Sequence, residues 1–289
     1  MGTHLSGRTR ICGIIGDPIE HTLSPRMHNA AFQSAGLDYI YVPFRVRRED
    51  LTLAIQGMRA LHIRGLSVTI PHKVAVMSLL DEIDPLAQKI GAVNTVSNEC
   101  GVLTGYNTDS TGFLRALEAE KIDLKGKNVC ILGAGGAARA IAFSVADRGA
   151  RLTILNRHPD SAEGLANRIL KFFRQHVLAL ELNRENLKTA LRGTDLLVNT
   201  TSVGMSPNFD ETPVPLTLLN RKLIIFDIIY NPLKTRLLEG AEKRGARVIS
   251  GLQMLVWQGA AAFELWTGAK APMERMREAT LKALRSSED

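Results

Sequence analysis

Cysteine is scarce in this chain: Cys12, Cys100 and Cys130 are the only three among 289 residues, and they lie far apart. An odd, scattered set builds neither a disulfide framework nor a zinc site, so reduced thiols and no bound metal are expected. Long apolar runs are missing as well. None approaches the roughly 18 to 20 residues of a membrane span, and the opening MGTHLSGRTR lacks the apolar core of a signal peptide. The expectation is a cytoplasmic protein with no membrane partner. Acidic residues are outnumbered, giving a formal charge of +7, yet the cations are gathered into no single face or tail. That scatter argues against nucleic acid as a partner and suits attraction of anionic small molecules. No internal repeat or low-complexity segment is present.

What the chain does have is an alternation of strand-like and helix-like segments, over a length that suits two domains of roughly 100 to 200 residues each. Its centre is KNVCILGAGGAARA, residues 127–140, where an apolar run ends in glycines and continues as an alanine-rich helix. The loop fits G-x-G-x-x-A. Gly133 permits the sharp turn, Gly135 lets a phosphate approach bare backbone, and Ala138 allows close helix packing. Unpaired N–H groups at the start of that helix would face a pyrophosphate. A second apolar strand, RLTILNR, follows within one such unit and ends in Asn156-Arg157-His158. An acidic residue usually stands there when NAD is bound. A neutral side chain followed by a cation suits the 2′-phosphate of NADP.

Before this unit come ICGIIG, a buried strand, and HTLSPRMHNAAFQSAG, a helix stopped by Gly36. Ser24-Pro25 is a helix-start signal, with Ser24 as the expected N-cap. Thr22 and Ser24 therefore serve either as caps or as a clasp for a carboxylate at the helix end. YIYVPFRV is a strand, and REDLTLAIQGMRAL a helix burying Leu51, Ile55 and Met58. GLSVTIPHK, residues 65–73, is a strand that breaks at Pro71 and delivers Thr69 and Lys73 to its end; a lone lysine there is ordinarily a solvated charge. Residues 90–109 hold two short strands around 99–101, flanked by Asn94 and by Asn107-Thr108-Asp109, residue types that also form turns. A helix from near Thr108 is expected to run to 124–126. TDLLVNTTSVGM and KLIIFDIIYNP read as buried parallel strands with loops at their carboxyl ends. In the last long helix Gly251, Met254, Leu255, Gln258 and Ala262 share a face, and Gln258 on that stripe needs a partner, either core backbone or a polar ligand.

Taken in order, HTLSP, SVTIPHK, GAVNT, GYNTD, LGAGGAARA, NRHPD, NTTSVGM, DIIYNP and GLQMLVWQG closely resemble the shikimate dehydrogenase family over about residues 11–268. The resemblance implies an α/β chain of two domains with the active site in a cleft between them. These are a substrate domain, residues 1–109 completed by 251–289, and a Rossmann dinucleotide-binding domain, 110–250. It implies Lys73 and Asp109 as the catalytic pair, with Thr22, Ser24, Thr69, Asn94, Tyr230 and Gln258 as further substrate ligands. For the cofactor it implies Gly133, Ala134, Gly135, Gly136, Ala137, Asn156, Arg157, His158, Thr201, Ile228, Gly251 and Met254. The implied reaction is NADP-dependent reduction of 3-dehydroshikimate to shikimate, with NAD as a possible substitute and a monomer or homodimer as the working form. Quinate/shikimate or aminoshikimate oxidation is the alternative chemistry; a metabolite-sensing relative without activity would be expected to lack Lys73 or Asp109. Three positions depart from the family pattern. Thr22 replaces a serine, Ser67 replaces an asparagine, and the N-R-T-x-x-R loop becomes Asn156-Arg157-His158-Pro159-Asp160-Ser161. Asp160 is expected to cap the following helix.

Overall fold

The structure is a computed structural model that describes residues 5–286. The chain divides into two compact units, residues 1–112 with 256–289 and residues 113–255. The divisions fall inside two helices, α4 (Asp109–Ala119) and α9 (Gly251–Thr267).

The first unit is built on a six-stranded mixed sheet. In chain order its elements are β1 (Arg10–Gly16), α1 (Ser24–Ser34), β2 (Tyr39–Arg45), α2 (Leu51–Ala60), β3 (Gly65–Val68), β4 (Glu82–Ile83), α3 (Pro85–Ile90), β5 (Thr95–Glu99) and β6 (Val102–Tyr106). The sheet order is β2-β1-β3-β5-β6-β4. β3 runs parallel to β1 and antiparallel to β5. The β5–β6 hairpin turns through Cys100 and Gly101, both with positive φ, the twist that matches antiparallel strands. Leu51, Ile55 and Met58 of α2 are buried in a cluster with Leu66, Val96 and Leu103, as the helical spacing predicts.

Trp266 sets the register of α9 on this sheet. A Cβ on Gly65 would lie 2.2 Å from Trp266 Nε1, so only glycine leaves room for the indole, which donates to Val96 O at 3.0 Å. Around it pack His28 and Phe32 of α1, Tyr39 and Tyr41 of β2, and Phe263, an aromatic cluster with ring centroids 4.4 to 6.1 Å apart. His28 is 1% exposed, and burial pulls its imidazole down to about 3, so it stays neutral. The α10 helix (Met273–Arg285) packs against α1.

The second unit holds β7 (Asn128–Leu132), α5 (Gly136–Asp147), β8 (Arg151–Asn156), α6 (Pro159–Phe173), β9 (Leu178–Glu181), α7 (Arg184–Leu191), β10 (Leu196–Asn199), β11 (Ile224–Asp227), α8 (Arg236–Glu242) and β12 (Arg247–Ser250). Every pairing among its strands is parallel, in the order β9-β8-β7-β10-β11-β12, the doubly wound arrangement of a dinucleotide-binding sheet. Cys130, Leu132, Leu197 and Ile225 are wholly buried in its core, which is why these strands read as unbroken apolar runs.

Three local expectations need correction. Ser24 is the first residue of α1, not its cap. Leu23 holds the cap position with helical backbone and no side-chain bond, and Thr22 Oγ1 accepts from the Ser24 N–H at 3.3 Å instead. Asp160 likewise lies inside the first turn of α6, where its charge complements the helix dipole, while His158 stands at the cap. The helix expected to reach residues 124–126 is α4, which stops at Ala119.

Candidate active site

In the first unit Lys73, Asn94, Thr108, Asp109 and Gln258 come together. Each arrives by a different route. The strand β3 ends at Val68, and the turn beyond it is fixed by Thr69 N donating to Ile15 O at 3.0 Å and His72 N to Thr69 O at 2.9 Å. A Cβ on Gly16 would meet the Thr69 methyl at 2.4 Å, so the bare glycine is what admits Thr69 at the end of β1. Lys73 O then accepts from Val93 N at 2.8 Å. Asn94 is pinned by its backbone to two strands, its N–H donating to Tyr106 O at 3.0 Å and its carbonyl accepting from Val68 N at 2.7 Å. Asp109 opens α4, where the unpaired N–H groups of the first turn favour a carboxylate.

Lys73 Nζ donates to Asp109 Oδ2 at 2.5 Å, and the two side chains are 16% and 7% exposed. The other oxygen of Asp109, Oδ1, accepts from Asn94 Nδ2 at 2.9 Å. The same amide nitrogen lies 3.0 Å from Thr108 Oγ1 and 3.3 Å from Gln258 Oε1. Asn94 Oδ1 accepts from Thr108 N at 2.7 Å and Thr95 Oγ1 at 3.1 Å, so both ends of the amide are oriented. A half-buried lysine held on one carboxylate, whose second oxygen is held in turn, can deliver a proton or a positive charge to a fixed point. Such a pair is costly to desolvate and is weak as a stabilising device. Cys12 and Cys130 are poor candidates for thiol chemistry, because burial pushes both up to about 12.

Thr22 and the 4% exposed Ser24 sit at the start of α1, in the same unit. In the second unit the glycine loop follows β7. Gly133 has φ of +107°, and a Cβ there would meet Thr200 Oγ1 at 2.6 Å, whereas a Cβ on Gly135 would project into open space. Gly136 and Ala137 open α5, leaving its first N–H groups for an anion. Asn156 Nδ2 donates to His158 O at 3.0 Å, and Arg157 and His158 are exposed beside it. No ion pair holds Arg157 among the described residues. A bare loop, a helix start and an unclaimed guanidinium fit the pyrophosphate and 2′-phosphate of NADP.

The comparisons agree in kind. Residues 14–96 match the shikimate dehydrogenase substrate binding domain, 116–232 the shikimate/quinate 5-dehydrogenase family, and 251–281 the shikimate 5′-dehydrogenase C-terminal domain. The chain is 51% identical over 288 residues to a shikimate dehydrogenase (NADP(+)) of Methanopyrus kandleri, covering 99% of both chains. The chain belongs to the shikimate dehydrogenase family. Among solved structures it is similar to a shikimate dehydrogenase in complex with NADP+, with a TM-score of 0.92 at 45% identity over 98% of this chain and 99% of that one. It is also similar to shikimate 5-dehydrogenase from Listeria monocytogenes in complex with shikimate and NAD, with a TM-score of 0.86 at 41% identity over 96% and 98%.

Against this family frame, the remaining candidates of the second unit lie at the carboxyl edge of its sheet. Thr201 follows β10, while Ile228 and Tyr230 follow β11. Gly251 donates its N–H to Ile229 O at 3.2 Å. A Cβ on it would meet Ile228 O at 2.1 Å, so glycine is required where α9 leaves the strand edge. Met254, one turn on, is 5% exposed.

Sequence reasoning passed over Asn199, Thr200, Asp227 and Thr235. Asn199 and Asp227 are register partners, the last residues of β10 and β11, and both are fully buried. Asp227 Oδ1 accepts from Asn199 Nδ2 at 3.0 Å and Ile229 N at 3.1 Å, and Oδ2 from Thr235 Oγ1 at 2.7 Å. Burial pushes this carboxyl up to about 6, against the pull of those three bonds. Polar residues closing two all-apolar strands, LLVN and IIFD, were the available signal.

Proposed function

We propose that the protein is an NADP-dependent oxidoreductase interconverting 3-dehydroshikimate and shikimate, a ring ketone and its secondary alcohol, on the route to aromatic amino acids. The observation that carries this reading is the Lys73–Asp109 pair at 2.5 Å, held by an Asn94 amide that also reaches Gln258. The nicotinamide cofactor, when bound, supplies the hydride exchange at the ring carbon. In the reducing direction the ketone oxygen gains negative charge, and Lys73 Nζ donates a proton to it. Asp109 holds the ammonium at one point and Asn94 holds Asp109, so the donor needs no reorganisation during transfer.

Thr22 and Ser24 bind the ring carboxylate at the start of α1, where the helix dipole favours an anion. Thr69, Asn94, Tyr230 and Gln258 bind the ring hydroxyls. For the cofactor, Gly133, Ala134, Gly135, Gly136 and Ala137 take the pyrophosphate, and Asn156, Arg157 and His158 the 2′-phosphate of the adenosine half. Thr201, Ile228, Gly251 and Met254 complete the cofactor contacts.

The test is purified protein assayed with shikimate and quinate, each with NADP and NAD. Reduction of NADP with shikimate is the expected result. Oxidation of quinate alone would overturn the substrate assignment in favour of the quinate alternative. No turnover with any pairing would overturn the enzymatic reading.

A further inference from the structure

A buried network ties together three loops that leave the same edge of the parallel sheet. Asp227 is its hub. Through Asn199 Nδ2 it holds β10. Asn199 Oδ1 accepts both the N–H of Thr201, at 3.0 Å, and its hydroxyl, at 2.7 Å. The residue between them, Thr200, donates its hydroxyl to Leu132 O at 2.5 Å, at the foot of the glycine loop. Thr200 Oγ1 also occupies the space a Gly133 side chain would need. On its other side Asp227 accepts from Ile229 N in the loop after β11. It also accepts from Thr235 Oγ1, which in turn accepts from Leu238 N to cap α8. The stretch from Ile228 to Thr235 is therefore anchored at both ends on one carboxylate.

All three direct partners are neutral donors, and among the described residues no ion pair involves Asp227. An ionised carboxylate buried without a cation is an expensive choice for a purpose that is merely structural, since a neutral residue of the same shape would avoid the desolvation. What only a carboxylate offers here is acceptance without donation. Two oxygens receive three N–H or O–H groups, one from the end of β10 and two from the loop after β11, and no proton intrudes.

We infer that Asp227 is a positioning residue for the cofactor. Through Asn199 and Thr235 it sets the loops after β7, β10 and β11 in one mutual register, so that Gly133, Thr201 and Ile228 meet NADP together. Asp227 touches neither substrate nor cofactor in this role; it acts through the loops. The inference rests on the NADP-dependent reading above and assigns a task to residues outside the candidate set.

Asp227→Asn keeps the side chain's size but places an NH2 group among donors. The expected result is a loss of about tenfold or more in kcat and a several-fold weaker NADPH affinity, read by cofactor fluorescence, with KM for shikimate within about threefold of wild type. Moving the charge within the pair, Asn199→Asp with Asp227→Asn, restores the Asn–Asp bond and the acceptor for Thr201. The amide placed at 227 then turns its NH2 toward the Ile229 N–H that Oδ1 also served, so recovery of part of the lost kcat is expected, a non-additive result that independent structural damage does not produce. If Asp227→Asn does not fold, Thr235→Val and Thr235→Ser replace it: the isosteric valine loses the hydroxyl and is expected to lower kcat and NADPH affinity, whereas the serine keeps both. Wild-type kinetics in Asp227→Asn or Thr235→Val, equal losses in both substrates' KM, or a charge-swapped pair no better than the single change would each overturn the inference. Wild-type protein inactive with NADP would instead refute the functional reading, and the NADPH-binding comparison would still decide the network.

Discussion

Replacing Lys73 by alanine separates what the buried ion pair does for the reaction from what it does for the fold. Asp109 is 7% exposed at its side chain and receives one hydrogen bond from Lys73 and one from Asn94. Removing the ammonium leaves a desolvated carboxylate with the Asn94 bond alone. Breaking a buried pair in this way costs about 3 to 5 kcal/mol, and the lower end applies here because Asn94 remains and Lys73 is 16% exposed. In Lys73→Ala with Asp109→Asn the uncompensated charge is gone, so about half of that stability or more is expected to return. Activity follows the opposite rule. Both variants are expected to lose about 100-fold or more in kcat, because the proton donor is absent from each. Substrate binding by Lys73→Ala, measured directly, is expected to persist, since the lysine acts on charge that develops during transfer. Denaturant unfolding and steady-state kinetics on wild type and both variants give all four numbers. Near-normal turnover by Lys73→Ala would return the lysine to a surface role. A single variant as stable as wild type would mean that the pair is not desolvated as its geometry implies.

Three further outcomes are expected. Arg157→Ala should lower the NADP-to-NAD preference by about tenfold, equivalent to about 1.4 kcal/mol for one charge-assisted phosphate contact, and an unchanged ratio of kcat/KM values would mean that the guanidinium does not meet the 2′-phosphate. Gly133→Ala forces a side chain into a backbone with φ of +107° and against Thr200 Oγ1 at 2.6 Å, so unfolding free energy should fall by about 2 kcal/mol or more and NADPH affinity should fall with it; wild-type binding by a stable variant would refute the loop geometry. His28 gives a pH dependence. Its folded value of about 3 lies below the ordinary 6.5, so its contribution is fully present above pH 6.5 and is lost as pH falls from there toward 3, by at most about 5 kcal/mol; His28→Gln should remove that part of the acid sensitivity, and identical pH–stability curves would argue against a neutral buried imidazole.

The α/β class was legible in the sequence because it rests on local patterns. An apolar run such as the one that ends at Gly133, and the 3.6-residue spacing of Leu51, Ile55 and Met58, need no long-range information. The glycine loop is legible for the same reason: positive φ at Gly133 is a property of one residue and its two neighbours. Helix starts were less so. Whether Ser24 or Asp160 caps depends on the backbone angles of the residue before, and both proved to be already inside the helix. No spacing in the chain joins Lys73, Asn94, Asp109 and Gln258, which only the motif resemblance named as a group. Their meeting is decided by the sheet order that sets β3 beside β5 and β5 beside β6, and by Trp266 filling the space left open at Gly65. The Asp227 network was the least visible. A polar residue closing a buried strand states only that it needs partners. Which ones it finds depends on the parallel register that sets Asn199 beside Asp227 and on the loop that returns Thr235.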